Sequence, residues 1–441
     1  MVRVLQVSGW YPPYRIGGTE VYLEGLVAAL RPVGVTSTLL VPRVDTMPEQ
    51  YAHLGTPVET YRVNETVETS EFRRGVPHQE FEIFRRKLED HREAIYHQHS
   101  WTRGCGPHHL RAARELGMRT VVTVHVPSNI CLRDTMLRFG EVACDGKVSG
   151  EICGACFAQG KGIPTAVART VALFPLAAAK ILRRRQTRVA TALSARALGA
   201  EKLEQLREMF TNSDRIVAVC GWLYDALLAN GIPANKLVLS RQGVSESFSE
   251  AVRTAHRALP LPGSPLRLLY LGRLDPVKGL HVVVRAIRSL PTDMRVSLTV
   301  FAHHGGTPVE QAYEAGVRAI AGSDPRIEFQ APIGRNEVAS VMRRHDAIVV
   351  PSVWLETGPL VVLEAMAAGL FVLGSRRGGI AELVGESDAG DLVEATDVDA
   401  WARAIARLAG RHSQARLPVQ SRGVRTMATV AAEMADLYRS L

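Results

Sequence analysis

Several features are missing from this sequence, and each absence narrows its class. No apolar run is long enough to make a good membrane span: the longest, Ala166 to Leu182, is broken by Arg169, Pro175 and Lys180. The first residues, Met1-Val2-Arg3-Val4-Leu5-Gln6-Val7-Ser8, hold too short an apolar stretch for a secretory leader. They lead directly into a Gly/Pro loop, as a first buried strand would. A cytoplasmic location is the expectation. No basic tract is interleaved with aromatics and no nucleic-acid module signature occurs, so no nucleic-acid partner is expected. The first strand is not followed by GxGxxG. Cysteine is scarce, six in 441 residues, and in the cytoplasm disulfides are disfavoured. Acidic residues are the minority charge, 44 against 53 basic, for a net charge of +9 and a pI near 9.4. That balance suits anionic partners such as nucleoside diphosphates or acidic lipid surfaces, although an Arg-rich proteome accounts for much of it.

What is present reads as a two-domain α/β protein. A chain of 441 residues exceeds one typical core, and 46% apolar with 22% charged residues is ordinary for a globular protein. Its most informative stretch is Ala347 to Gly369, AIVVPSVWLETGPLVVLEAMAAG. Ala347 to Val350 reads as a buried parallel strand, and Pro359 to Ala368 as a helix started by Gly358-Pro359 and capped by Gly369. Ligands of open α/β sheets sit beyond the carboxyl ends of strands, where helix N-termini attract phosphate. Gly358 leaves room for close approach, and backbone N–H groups near Leu360 and Val361 could receive a diphosphate. Glu356 in the loop and Glu364 on the helix could accept hydrogen bonds from hydroxyl groups. A solvated loop Glu and a helix Glu paired with a buried Arg are the plainer alternatives.

The rest of the chain supplies further candidates. Val2 to Val7, a loop with Gly17-Gly18, a helix from Glu20 to Leu30 with Thr19 as cap, and Thr36 to Val41 form a strand–loop–helix–strand opening. The glycine pair is either a phosphate-approach site or a plain turn. Residues 43–93 read as polar and irregular. Thr120 to Val124 is a β-branched strand with His125 at its carboxyl end, either a cleft residue or a structural one. Cys131, Cys144, Cys153 and Cys156 follow as C-x12-C-x8-C-x2-C. This clustering favours a structural zinc site, then an iron–sulfur cluster, over free buried thiols. Four thiolates would leave no open position for catalysis. Ala166 to Met209 reads as helical, with basic residues Arg183-Arg184-Arg185; either a solvated surface face or one touching an anionic membrane fits.

A Ser-, Pro- and Gly-rich stretch from Val244 to Pro265 reads as a linker. Beyond it, the strand Leu266 to Leu271 leads into Gly272-Arg273-Leu274-Asp275-Pro276-Val277-Lys278-Gly279. Arg273 and Lys278 at such a loop can neutralise a diphosphate, or simply be solvated. His303-His304 lack accompanying carboxylates and read as loop. Asp397-Val398-Asp399 reads as a helix start rather than a metal site.

The spacing of Glu356 and Glu364, the following Ala365-Met366-Ala367-Ala368-Gly369, the run Arg377-Gly378-Gly379-Ile380-Ala381-Glu382 and the Arg273/Lys278 loop together resemble the retaining nucleotide-sugar glycosyltransferases of family four. The resemblance is tight from Leu269 to Glu382, fair from Met1 to Leu40 and weak from Arg43 to Ala200. It implies the GT-B fold: two Rossmann-like domains facing across a cleft, with a C-terminal helix returning to the first. Expected bounds are 1–245 with a Cys-rich insertion at about 128–160, 265–420, and a final helix at 421–441. It also implies transfer from a UDP- or GDP-sugar to a sugar, glycan or lipid-linked acceptor, with no catalytic metal. Arg273 and Lys278 would stabilise the leaving diphosphate, with backbone help near Gly17-Gly18 and Gly358 to Val361. Glu356 would orient the donor sugar, Glu364 hold the ribose, and His125 lie against the reacting sugar. A phosphorylase or epimerase on the same architecture and a non-catalytic nucleotide-sugar-binding subunit are the alternatives.

Overall fold

The computed structural model describes residues 1–14, 17–43, 47–63, 77, 80–102, 104–183, 185, 187–256, 263–303, 306–387, 389–413 and 423–441. The chain divides into two units, Met1–Arg241 with Met427–Leu441, and Gln242–Thr426.

The first unit is built on strands β1 (Val2–Val7), β2 (Val35–Arg43), β3 (Gln50–His53), β4 (Thr56–Arg62), β5 (Ile95–Gln98) and β6 (Thr120–Val124). The two-stranded ribbon β7 (Leu137–Arg138) and β8 (Val142–Ala143) follows, then β9 (Arg215–Ala218) and β10 (Leu237–Leu239). The main sheet runs β10-β9-β6-β5-β1-β2-β4-β3, parallel except for the β3–β4 pair. Helix Gly18–Leu30 and the last helix, Met427–Arg439, share one apolar cluster on this sheet, with Tyr22, Leu26, Leu30, Val121, Val217, Val430 and Met434 at its centre.

The second unit carries β11 (Leu266–Arg273), β12 (Val296–His303), β13 (Ile327–Gln330), β14 (Ala347–Val350), β15 (Phe371–Ser375) and β16 (Gly390–Val393), all parallel, in the order β13-β12-β11-β14-β15-β16. Alternate residues enter different cores. Leu266, Leu268, Val349 and Leu373 face helices Leu280–Ser289 and Val398–Ser413, whereas Leu269, Ile348, Val350 and Val372 face Arg335–Met342, Leu360–Ala368 and Gly378–Gly385. A strand covered on both faces buries residues at every position, which is why β14 and the start of β15 read as continuous apolar runs. Strand order reverses between β12 and β14 around β11, and the crevice at such a point is where open α/β sheets bind ligands.

Several sequence expectations are corrected. Residues 43–93 hold β3, β4 and helix Phe81–Asp90. The first helix begins at Gly18 with Gly17, not Thr19, as its cap. The stretch read as a linker contains helix Glu246–Thr254, whose Val252 joins the second unit's core. Ala166 to Met209 is not one helical run. It breaks into Thr165–Val171, Leu176–Leu182, Arg188–Leu193 and Ala195–Asn212, the first two bent by 103° across Pro175. Among the described residues no single helix is long and apolar enough to cross a membrane, although that bent pair passes together on length and composition. Arg183 is tied to Glu201, and Arg184 lies outside the described residues. His303 ends β12, while His304 lies outside the described residues. Asp397 caps the helix beginning at Val398, its Oδ1 accepting the Ala400 N–H at 2.8 Å, as the helix-start reading requires.

Candidate active site

The second unit brings two of the predicted residues into direct contact. Lys278 follows β11 in a one-turn 3-10 segment, and Glu356 follows β14, so both stand at the carboxyl ends of the strands flanking the reversal point. The Lys278 Nζ donates to Glu356 Oε1 at 2.6 Å, and Ser352 Oγ donates to the same oxygen at 2.8 Å. The Lys278 ammonium also lies 5.4 Å from the centre of the Trp354 ring. Glu356 is 6% exposed. Burial alone would push its carboxyl upward, but the Lys278 charge and the Lys278 and Ser352 hydrogen bonds outweigh it and hold the group below the usual carboxylate range.

Glycine makes this contact geometrically available. Gly279 has φ +70°, and a Cβ there would stand 2.0 Å from the Pro351 carbonyl oxygen, so only glycine lets the Lys278 turn close onto the end of β14. The Val353 N–H donates to the Val277 carbonyl at 2.9 Å and locks the two loops together. On the other side, the Gly379 N–H donates to the Glu356 carbonyl at 2.7 Å, and a Cβ at Gly379 would lie 2.5 Å from the Gly358 nitrogen.

Thr357, Gly358, Pro359, Leu360 and Val361 are half-buried and form the entry to helix Leu360–Ala368, whose first amides have no preceding helical carbonyl. Glu364 lies one turn further on. Burial pushes its carboxyl up to about 7, opposed by the charge of Arg335. Arg273 is more open. Its side chain is 55% exposed and reaches Asp275 at 3.5 Å and Glu310 at 3.7 Å. Glu310 is itself fixed by a capping box with Thr307 at the start of helix Pro308–Ala321. Ser352 and Arg335 were missed from sequence; a Ser four residues before Glu356 in a loop carries no distinguishing signal.

In the first unit, His125 follows β6 and is 4% exposed. Its Nε2 lies 3.1 Å from His99 Nδ1, and the other nitrogen of His99 lies 2.8 Å from Gln6 Oε1. With the Gln6 oxygen as acceptor, His99 carries its proton on Nε2, and His125 therefore donates from Nε2 and keeps Nδ1 unprotonated. Burial pushes His125 down to about 3, so the ring is neutral. The Tyr22 ring packs edge-on at 4.7 Å. His97, two residues before His99, joins Tyr438 Oη at 2.6 Å and Thr123 Oγ1 at 2.8 Å, anchoring the last helix. The alternating His97-Gln98-His99 at the end of a short strand was the available signal for this network. Gly17 and Gly18 lie at the exposed start of the first helix.

Cys131, Cys144, Cys153 and Cys156 form a separate cluster in the first unit. All four are free and line one small cavity of about 30 Å³. Among the described residues no three His, Cys, Asp or Glu side chains stand at spacing that would hold a metal ion, so the expected metal ligands are gathered but not closed.

Two doubly wound parallel sheets, each in its own unit, constitute the GT-B architecture. The chain belongs to the family-four glycosyltransferases: residues 17–243 match the glycosyl transferase 4-like domain and residues 252–416 match glycosyl transferases group 1. A putative colanic acid biosynthesis glycosyltransferase WcaL of Salmonella typhimurium is 28% identical over 221 residues, 48% of this chain and 52% of that one. The chain thus spans about half the length of the curated relatives it matches. Among solved structures, sucrose-phosphate synthase from Thermosynechococcus elongatus superposes with a TM-score of 0.68 at 17% identity, covering 100% of this chain and 99% of that one. Anabaena Alr3699/HepE, solved with UDP and glucose, gives 0.57 at 14% identity, covering 99% of each.

Proposed function

We propose that the chain is a retaining glycosyltransferase that moves a sugar from a UDP- or GDP-sugar to an acceptor in glycan, polysaccharide or glycolipid biosynthesis. The pairing of half-buried Lys278 with buried Glu356 carries this reading. A cation and a carboxylate are held at the strand ends flanking the reversal point, beside a helix N-terminus, where a diphosphate and a sugar hydroxyl would find charge and acceptor together. Lys278 and Arg273 stabilise the departing diphosphate, aided by the N–H groups of Gly358, Leu360 and Val361. Arg273 is available because its two acidic partners are long, exposed-side contacts of little net worth. Glu356 orients the donor sugar and Glu364 accepts from the ribose. In the first unit, His125 is neutral and held by His99.

Fixed cations and helix ends do the work a divalent ion does elsewhere, so the transfer step is metal-independent. The Asp397 carboxylate is committed to helix capping. That Anabaena HepE was solved with UDP and glucose supports a nucleotide-sugar donor, and the WcaL relative supports a polysaccharide acceptor. A cytoplasmic enzyme contacting the inner membrane face fits exposed Leu173, Ile181 and Val189 near exposed Arg185, a surface suited to anionic lipid and a lipid-linked acceptor. The test is a panel of nucleotide sugars with candidate acceptors, reading the anomeric configuration of the product by NMR. Retention of the donor configuration is expected. Inversion would overturn the mechanism, and donor binding without turnover across the panel would leave a binding subunit.

A further inference from the structure

Cys131, Cys144, Cys153 and Cys156 belong to three different pieces of local structure. Cys131 follows the turn Pro127–Asn129, Cys144 follows β8, and Cys153 and Cys156 sit on helix Gly150–Gly160. Four cysteines from separate elements thus line one small cavity.

Backbone amides point at three of the sulfurs. The Phe139 N–H donates to Cys156 Sγ at 3.2 Å and the Ser149 N–H to Cys153 Sγ at 3.4 Å, while the Gly146 amide bonds Cys144. Backbone N–H groups aimed at sulfur fix the direction of each side chain. Four thiolates around a divalent ion leave two negative charges in excess. Arg133, Arg138 and Lys147 line the same cavity, and Arg133 Nη1 stands 3.9 Å from Cys156 Sγ.

The loop between the first two cysteines is also strained. Asp134, Met136 and Phe139 have φ of 64°, 52° and 53°, the left-handed region that non-glycine residues rarely enter. Such backbone persists where something else holds it, and the short β7–β8 ribbon is little support.

We infer that the four cysteines are the ligands of one structural zinc ion that pins the β7–β8 ribbon to helix Gly150–Gly160. Binding the ion would draw the four sulfurs together, since among the described residues no three metal-ligating side chains stand at metal-holding spacing. Zinc fits because all-sulfur tetrahedral sites are its structural form, and such a site has no open position for substrate. This inference is independent of the transferase reading.

The experiment is metal analysis of the full chain purified under reducing conditions, by inductively coupled plasma mass spectrometry, with thiol counting by intact mass. One zinc per chain is expected, lost in Cys144→Ser and Cys153→Ser and kept in Cys220→Ala. Cobalt exchange should give the thiolate-to-cobalt charge-transfer bands of a tetrahedral site. If the serine variants do not fold, the wild type decides: chelation should release the zinc and open residues 131–200 to protease while circular dichroism of the sheets persists. A metal-free protein with six free thiols would overturn the proposal, as would disulfides among the four cysteines, or iron with visible absorption.

Discussion

Glu356 is a buried carboxylate whose ionised form survives because of one cation. Removing a charged partner from such a pair leaves the other charge desolvated and uncompensated, which costs more than the pair itself contributes. Lys278→Ala should therefore destabilise the second unit by about 3 kcal/mol at neutral pH. The sign of the pH dependence follows from the direction of the Glu356 shift. Its folded-state pKa is depressed, so its contribution is full above the unfolded carboxylate value and is lost as pH falls through the folded one. Urea unfolding of wild type and Lys278→Ala should differ most at pH 7 and converge as pH falls through the depressed folded-state value of Glu356. A gap that stays constant through the acid range would show that the pair does not govern Glu356. The identities of Lys278 and Glu356 were legible from sequence, each in a strand-to-helix loop. Their direct contact was not, because 77 residues separate them and only the strand order places β11 beside β14.

The elements that read most clearly were those with one dominant physical cause. The continuous apolar run of β14 announced a parallel strand buried on both faces, and Gly369 ended its helix with φ 79°. The elements that failed had mixed causes. β3 and β4 alternate with polar residues at the sheet edge, so residues 43–93 looked irregular. Helix Glu246–Thr254 sits in a Ser-rich stretch, where Ser245 caps it and Val252 packs it onto the core. The Gly279 turn is the element-scale device on which the site depends. Gly279→Ala should lower stability by about 2–4 kcal/mol, since the new methyl meets the Pro351 carbonyl and the left-handed backbone disfavours it. Gly316→Ala is the control: it lies within helix Pro308–Ala321, nothing lies within 4 Å of the added carbon, and a gain of about 1 kcal/mol is expected. Thermal unfolding of the two variants checks this, and equal effects would contradict the close-approach argument.

At the scale of the molecule, each unit keeps its chemistry at the carboxyl ends of its own parallel sheet: His125 with His99 and Gln6 in the first, Lys278, Glu356 and Glu364 in the second. A net charge of +9 favours approach of an anionic donor. The family and fold were legible from motif spacing, whereas the histidine network and the cavity shared by the four cysteines required the fold. The most direct measurement is calorimetric titration with UDP, GDP and ADP, using wild type, Lys278→Ala and Glu364→Gln at pH 5.5 and 8. Binding of one nucleotide should weaken about tenfold or more in Lys278→Ala. A carboxyl pushed up to about 7 ionises across this range and becomes a pure acceptor for ribose hydroxyls. Wild-type affinity should accordingly rise toward pH 8 by more than that of Glu364→Gln, the difference removing the nucleotide's own titration. Absence of binding to all three nucleotides by the folded protein, or binding indifferent to both substitutions, would contradict the assigned donor site.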